Sequence, residues 1–462
     1  MQAGHARSSG VAGKAPIAQL KADLAMTTEA RAACRGDRKY FLPALHMHGA
    51  AALRFCLLLL CTTIVLGPAH AASTQVDPAA PPGASVEELL ALVRSFNPEL
   101  TAAALDSEEA LAKIAPAGAL DDPTFNLGRD QGFRQTTFSA SQEFPLWGKR
   151  QLRGEIAEEN AHAAKGREGS AARDLEERVK TAFAQYYAAH EAIRVTRDIH
   201  GLLHTLVGAV RGRYGQGLAS QSDVIRVDIE QTRLDPELSA LERDEETAKA
   251  KINALIARAA SSPLSPPAAL RKVPAAGTLK IEDLTARARE RNPTLAAARA
   301  EIAAADRERT LVDKSYYPDV TVSVGGDALP NQSVQPTVGI GIKIPLQWGI
   351  RDAQARAATA KRGAAQARLD GTMLKIQSEL QSALATLRQA QRTSDLIEKA
   401  LGPQSRTAYE ASLISYQRGR GDLAGVIEAA HQQLEIRLQL LRAETDEQMA
   451  LAAIERLIGD DL

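Results

Sequence analysis

Two histidines have the spacing of a metal site, and they are the residues with the clearest capacity for chemistry in this chain. His200 and His204 stand four residues apart, so that both imidazoles lie on one face of a helix, an arrangement found in zinc-binding helices. His200 also falls in the apolar row along which a predicted long helix packs, and its counterpart 201 residues later is Leu401. We therefore predict that His200 is a histidine tolerated in a packing seam and that the chain has no metal site.

Other motifs that carry chemistry are missing from the sequence. The chain has no Gly-x-Ser-x-Gly, His-Glu-x-x-His or phosphate-loop sequence. Met373 and Met449 are the only methionines after residue 71, too few for a thioether pathway for copper or silver ions. We predict that the protein is not an enzyme, has no catalytic residues and needs no cofactor.

Two glycine-containing turns are the most informative local motif. Tyr-Gly-Gln-Gly at 214–217 recurs as Tyr-Gln-Arg-Gly at 416–419, 202 residues later. The glycines permit the left-handed conformation that ends a helix. Ser220 and Asp223 resemble a capping box that opens the next helix, and Asp422, at the Ser220 position of the second copy, is expected to cap in the same way.

Composition excludes some classes of partner. The 462 residues include 56 basic and 56 acidic side chains, and this balance argues against nucleic-acid binding, which needs a basic excess. Aromatic residues make up 4% and apolar residues 45% of the chain, which indicates long helices rich in alanine and leucine.

The first 71 residues are predicted to be absent from the working protein. Residues 47–71 have the pattern of a Sec signal peptide, with a basic start, an apolar run over 55–66 and Ala-His-Ala before the cut. We expect translation to begin at Met47, so that 1–46 is an N-terminal extension foreign to the native chain. All three cysteines precede the cut, so the exported chain cannot rely on disulfides.

The remaining chain is predicted to be two copies of one plan. Asn-Pro-x-Leu at 97–100 recurs at 292–295, and Pro-Leu-Trp-Gly at 145–148 recurs as Pro-Leu-Gln-Trp-Gly at 345–349. Together with the turns, three landmarks recur in one order, which indicates a duplication. We assign the first copy to 85–258, a proline-rich linker to 259–279 and the second copy to 280–460.

Each copy is predicted to run helix, β-hairpin, very long helix, tight turn, helix. Apolar residues recur every seven positions in both long helices, which indicates coiled-coil packing. The first long helix covers about 65 residues, or about 100 Å. Its flanking helices are predicted over about 86–115 and 222–258.

The hairpins are predicted over 124–144 and 318–344. In the second, valines and isoleucines alternate with Thr, Ser and Gly. One apolar and one polar face suits a transmembrane barrel with a wet lumen, although a soluble two-sided sheet shows the same alternation. Glu143 and Lys343 fall on the polar face and are predicted to face the lumen. Four strands cannot close a barrel, so in a membrane several chains would share one.

Three motifs resemble those of the TolC family, the outer-membrane efflux proteins of Gram-negative bacteria. They are Ser-Gln-Glu-Phe-Pro-Leu-Trp-Gly-Lys-Arg at 141–150, the Asn-Pro-x-Leu of each copy and the Tyr-x-x-Gly turns. The first is most similar to the heavy-metal branch (cobalt–zinc–cadmium or copper–silver), and the resemblance covers 85–462. It implies a mainly α protein with a small β part, a homotrimer with a shared 12-stranded barrel of four strands per chain, and a helical tunnel across the periplasm.

The resemblance also implies a function and partners. The protein would be the passive exit duct of a tripartite efflux system, set in outer-membrane lipid and driven by an inner-membrane RND pump through a periplasmic adaptor, with heavy-metal cations as substrates. The turns would form the periplasmic tip. Residues expected there, at the adaptor contact, are Tyr214, Gly217, Ser220, Asp223, Tyr416, Gly419 and Asp422. Residues expected to supply gate charges are Arg213, Arg418 and Arg420.

Two alternatives stay open at this point. The first is an outer-membrane duct for drugs or other small molecules, because a wide wet tunnel selects little. The second is a secreted coiled-coil scaffold without a pore, although a scaffold has no need of two-faced hairpins.

Overall fold

Long α-helices and two β-hairpins make up residues 81–130, 132, 135–329 and 332–462, the part of the chain that the computed structural model describes. The prediction of a mainly helical protein with a small β part is confirmed. The extension predicted over 1–46 and the signal peptide predicted over 47–71 lie outside the described residues. Among the described helices, none combines the length and the apolar composition needed to cross a bilayer.

The two halves of the chain carry nearly the same order of elements. The first half comprises α1 (Val86–Phe96), α2 (Pro98–Ala112), α3 (Ile114–Gly118), β1 (Thr124–Asp130), β2 (Gln135–Phe144), α4 (Lys149–Gly215) and α5 (Gln221–Leu255). The second comprises α6 (Ile281–Arg291), α7 (Pro293–Lys314), β3 (Asp319–Ala328), β4 (Gln335–Lys343), α8 (Trp348–Leu396), a π-helical turn (Ile397–Leu401), α9 (Gly402–Gln417) and α10 (Leu423–Ile458).

The single helix predicted over 86–115 is wrong, because the Asn-Pro motif divides it. Asn97 has an extended ψ of 125°, since a residue that precedes proline is disfavoured in the helical region. Its Oδ1 accepts hydrogen bonds from the first turn of α2, and its Nδ2 donates to Leu255 O at 2.7 Å. Asn292 caps α7 and donates to Leu457 O at 2.8 Å. The motif therefore joins the start of each half to its last long helix.

The elements form one layer in which each packs on its neighbours in a simple order. The four strands pair antiparallel in the order β1-β2-β3-β4. Along its first part α4 packs on α2 and α7, and α7 packs on α8. Along its second part α4 packs on α5 and α10, and α10 packs on α8 and α9. The helices therefore follow α2-α4-α7-α8 near the sheet and α5-α4-α10-α9 near the turns.

Three apolar cores hold this layer together. Two are built from corresponding helices of the two halves: one joins α1, α4 and α5 around Leu175, Val179 and Ile252, and the other joins α6, α8 and α10 around Ile376 and Leu380. The third joins the ends of α4, α5, α9 and α10 next to the turns. Burial of these apolar side chains stabilises the packing of the helices, as the seven-residue apolar repeat predicts.

The linker between the halves crosses the middle of three long helices. Tyr186 of α4 donates its hydroxyl to Ser265 O at 3.0 Å, and Gln448 of α10 donates to Arg271 O at 2.6 Å. Gln391 of α8 donates to Pro274 O at 3.0 Å. These bonds satisfy backbone carbonyls that the prolines of the linker leave without helical or sheet partners.

Candidate functional site

Both turns close their helices with the same glycine geometry. Gly217 and Gly419 have φ values of 71° and 72°. After α4, Leu218 N bonds to Arg213 O at 2.9 Å, and after α9, Arg420 N bonds to Ser415 O at 2.9 Å. These are Schellman motifs, in which a residue past the glycine returns to a carbonyl of the last turn. The glycines are required because a side chain is strained at positive φ.

The two turns differ in how the next helix begins. The capping box predicted at Ser220 and Asp223 is confirmed: Ser220 Oγ accepts from Asp223 N at 3.2 Å, and Asp223 Oδ2 accepts from Ser220 N at 3.0 Å. Hydrogen bonds from Ser220 lower the pKa of Asp223. The cap predicted at Asp422 is wrong, because its side chain accepts no hydrogen bond from the start of α10. Sequence position alone did not specify the rotamer.

Arg213 connects the two turns within one chain. Its Nη1 donates to Gln417 O at 2.9 Å and its Nη2 to Leu218 O at 3.4 Å, so one guanidinium binds a carbonyl of each turn. The guanidinium also lies 4.9 Å from the ring centroid of Tyr416, within the range of a cation–π contact. Tyr416 is buried, and this burial raises the pKa of its hydroxyl. Residues 204 positions apart are thereby held together.

The other predicted tip residues point outward. Tyr214 is 48% exposed, and Arg418, Arg420 and Asp422 are all exposed. Of the residues that the structure describes, none forms an ion pair with these three charges. They are therefore available to groups outside the chain.

Exposed apolar side chains near the first turn were not identified from the sequence. Leu218, Ile225 and Ile229 are each more than half exposed. The signal was present, because Ile225 and Ile229 are four residues apart on α5 and outside the buried row that contains Val227 and Leu234. Apolar residues exposed in a row are typical of an interaction surface.

The sheet has two chemically distinct faces. Opposed residues of antiparallel strands lie on the same face, and the register places Phe125, Ala140, Val324 and Val338 in one row. The apolar face is open in one chain, with Leu127 81% and Ile340 74% exposed. The opposite face carries the polar and small residues. Glu143 and Lys343 lie there, with Lys343 Nζ 3.2 Å from Glu143 Oε1.

Comparison with known proteins shows which family has this sequence. The sequence profile of the outer membrane efflux protein family matches residues 89–258 and again 284–460. The chain belongs to the outer membrane efflux protein family. It is similar to the cobalt-zinc-cadmium resistance protein CzcC of Cupriavidus metallidurans, with 23% identity over 383 residues that cover 81% of this chain and 90% of the relative.

Solved structures of outer-membrane channels share its fold. CusC superposes with a TM-score of 0.71 at 14% identity, covering 81% of this chain and 92% of that chain. VceC of Vibrio cholerae gives 0.70 at 19% identity, covering 81% and 96%. Because it belongs to the outer membrane efflux protein family, the protein is an outer-membrane efflux channel and not an enzyme, and the alternative of a secreted scaffold is wrong.

A buried ion pair joins the sheet of this efflux protein to its helices. Lys149 Nζ lies 2.8 Å from both carboxylate oxygens of Asp319 and 2.8 Å from Tyr317 O. Leu146 N donates to Asp319 Oδ1 at 3.1 Å, and the indole of Trp147 donates to Pro318 O at 3.1 Å. The Pro-Leu-Trp-Gly-Lys motif therefore ties the end of β2 to the start of β3. The sequence pattern identified this motif as a landmark of the repeat and of the family, and did not predict this contact.

Four histidines of the efflux protein, His190, His200, His204 and His431, contact side chains of α5. His190 Nδ1 lies 2.9 Å from Glu245 Oε1, and His431 Nε2 lies 3.0 Å from Glu230 Oε2. The ring nitrogens of His200 and His204 both contact Gln231. Over the described ranges no three His, Cys, Asp or Glu side chains are grouped for a metal ion.

Proposed function

We propose that this protein is the passive outer-membrane duct of a tripartite efflux system, in which three copies close a shared 12-stranded barrel and a helical tunnel. An inner-membrane RND pump supplies the energy through a periplasmic adaptor. The proposal depends on one observation: the elements of one chain form an open layer. Its edge strands and its edge helices, both near the sheet and near the turns, each have one side without a neighbour in the layer.

The sheet supports closure by further copies. Strands β1 and β4 are its edges, so each has one side without a backbone partner within the layer. Its apolar face is exposed, as a lipid-facing surface requires. Unpaired backbone groups are costly in hydrocarbon, so β4 of one chain would pair with β1 of the next. The polar face, with Glu143 and Lys343, would then line the lumen.

The helical edges support the same arrangement. Near the sheet the edges are α2 and α8, and near the turns they are α5 and α9. Ile225 and Ile229 on α5 and Ile414 on α9 are exposed. Copies related by rotation would place these apolar residues against each other and out of water. A head-to-tail contact of this kind closes into a ring.

Cysteine pairs test the closure directly, because no cysteine follows residue 61. A chain carrying both Phe125→Cys and Val338→Cys, which share one level and face of the sheet, is expected to form trimers resistant to SDS after oxidation. Further pairs, such as Phe125→Cys with Ile340→Cys, allow for a shift in register between β1 and β4 of adjacent copies. Each single-cysteine chain is the control. Monomers from every pair, together with no conductance in lipid bilayers, would overturn the proposal.

The turns are proposed as the closed periplasmic tip and the adaptor contact. Within each chain, Arg213 holds the two turns together through Gln417 O and Tyr416. The exposed Arg418, Arg420 and Asp422 are free to pair between chains. Each exposed pair contributes only about 0.2–1 kcal/mol, so adaptor binding can shift the tip from closed to open.

Removal of the Arg213 side chain, whose contacts with both turns we call the Arg213 clasp, tests whether these contacts keep the tip closed. Arg213→Ala is expected to raise the resting conductance of channels in planar bilayers, because two carbonyls and one ring lose their shared partner. Arg211→Ala is the matched control, since Arg211 pairs only with exposed Asp228 on α5. Equal resting conductance in the two variants would show that the clasp does not hold the tip closed.

Heavy-metal cations are the proposed cargo. Support comes from the similarity to a cobalt-zinc-cadmium resistance protein and from the Ser-Gln-Glu-Phe-Pro motif. Deletion of the gene is expected to lower tolerance of cobalt, zinc and cadmium and to leave tolerance of antibiotics unchanged. The opposite result would identify the duct as one for drugs.

A further inference from the structure

One turn of the second long helix is π-helical, and it lies where the two halves of the chain change their offset. Before it, buried Val179 and Leu380 are 201 residues apart, and after it, buried Val207 and Tyr409 are 202 residues apart. The second long helix therefore contains one additional residue. The turn Ile397–Leu401 accommodates it, as π-helical turns in α-helices do, frequently at functional sites.

The helix is weak on the far side of this turn as well. Gly402 and Pro403 follow it directly, and proline lacks the backbone N–H that would bond to the preceding turn. A weak point also lies at the matching level of α5, where Pro236 stands inside the helix next to Asp235. Asp235 is 3.7 Å from His200, the counterpart of the end of the π-helical turn. Helices α5 and α9, at opposite edges of the layer in one chain, thus each contain a proline without a backbone N–H at this level.

Carboxyl groups surround the π-helical turn. Glu398 lies on the turn, and Glu444 and Glu447 face it from α10; Ser394 of α8 donates its hydroxyl to Glu447 Oε1 at 2.5 Å. Within the described part of the chain, Glu444 and Glu447 form no ion pair. Two uncompensated carboxylates at a packed interface repel each other and lose solvation.

Two further carboxylates at this level are each paired with a cation. Asp395 of α8 lies 2.6 Å from Lys399 Nζ. Glu191 of α4 is bonded to Arg194 at 2.9 Å through Nε. Neither cation is shared with α10, so they leave the glutamates of α10 uncompensated.

The pKa shifts of Glu444 and Glu447 determine whether acid stabilises or destabilises their packing. Burial, followed by repulsion from Glu398 and other carboxylates, raises the pKa of Glu444 above its ordinary 4.5. Burial likewise raises the pKa of Glu447, although the Ser394 bond lowers it in part. Protonation therefore stabilises the packing of α10 on the turn, and this stability is lost as the pH rises through the raised values.

We propose that the π-helical turn Ile397–Leu401 and the carboxyl groups of α10 form a proton-sensitive hinge in the second long helix. In acid the hinge is packed and holds α9 in line. Towards neutral pH the ionised carboxylates loosen it, so that α9 and its turn move more readily when the tip opens. The link to opening rests on the proposed function, whereas the hinge itself does not.

Hydrogen–deuterium exchange in the assembled full-length protein tests the hinge without reference to transport. Exchange of peptides over 390–405, corrected for the intrinsic effect of pH, is expected to be slower at pH 4.5, the ordinary value of these carboxyl groups, than at pH 7.5. The double variant Glu444→Gln with Glu447→Gln should be slow at both values. Glu410→Gln, which removes an exposed carboxylate on α9 paired with Arg406, is the control and should keep the pH dependence.

A deletion tests the π-helical turn itself. Removal of the exposed Lys399 would convert the turn to α-helix and keep the packing register on both sides, so exchange over 390–405 should become slow at both pH values. If the deletion prevents folding, Glu398→Gln takes its place, because Glu398 is exposed and its replacement should not disturb the packing. This variant should weaken the dependence of exchange on pH. Wild-type exchange that does not change with pH, or a dependence that persists in the double glutamine variant, would overturn the hinge. Loss of conductance with the exchange pattern intact would count against the proposed duct alone.

Discussion

Replacement of Lys149 by methionine should destabilise the protein strongly, because it leaves a carboxylate without its cation at the junction of sheet and helices. The Lys149 side chain is 7% exposed and that of Asp319 is 18% exposed. Loss of one partner of a buried ion pair costs about 3–5 kcal/mol. Asp319 keeps some contact with water and its bond from Leu146 N, so we expect the lower end, about 3 kcal/mol.

A second lysine–carboxylate pair in the same sheet is the control. Lys343 and Glu143 are also within bonding distance, but their side chains are 71% and 35% exposed. Exposed pairs contribute about 0.2–1 kcal/mol, so Lys343→Met should have a small effect. The two substitutions are chemically identical, and the two sites differ in burial and in the bond that Lys149 also makes to Tyr317 O.

The assay is denaturant-induced unfolding of the detergent-solubilised protein, followed by tryptophan fluorescence. Trp147 bonds to Pro318 O beside the ion pair, so its emission reports the junction. The reverse single variant, Asp319→Asn, should cost at least as much as Lys149→Met, because the ammonium group that it leaves unpaired is the more buried of the two charges. If Lys149→Met costs no more than Lys343→Met, the assignment of this pair as the joint between sheet and helices is wrong.

Two further predictions compare matched positions. Ser220→Ala should cost about 1 kcal/mol because it removes an observed cap, whereas Asp422→Ala should be nearly neutral; thermal unfolding of both variants measures the difference. Gly166→Val should cost about 1–3 kcal/mol, because a Cβ there would lie 2.7 Å from Ala297 N and force α4 away from α7. Gly201→Ala, at a helical position with open space around it, should stabilise by up to about 1 kcal/mol. Equal effects of the two glycine substitutions would refute the close approach.

The sequence by itself determined the features that depend on near neighbours. The left-handed glycines at 217 and 419, and the capping box at Ser220, follow from contacts within five residues of each turn. The two faces of each hairpin follow from the period of two in a strand. The break at Asn97 was also local and could have been predicted, because Pro98 is the signal.

The tertiary structure decided the contacts between segments that are far apart in the chain. Lys149 finds Asp319 across 170 residues, and Arg213 finds Gln417 across 204. No periodicity of the sequence specifies such pairs, because many lysines and carboxylates satisfy the same pattern and only the packing of α4 selects one. The same reason explains Asp422, whose cap was plausible in sequence and yet is not formed. Local rules set which conformations a residue can adopt, and packing chooses among them.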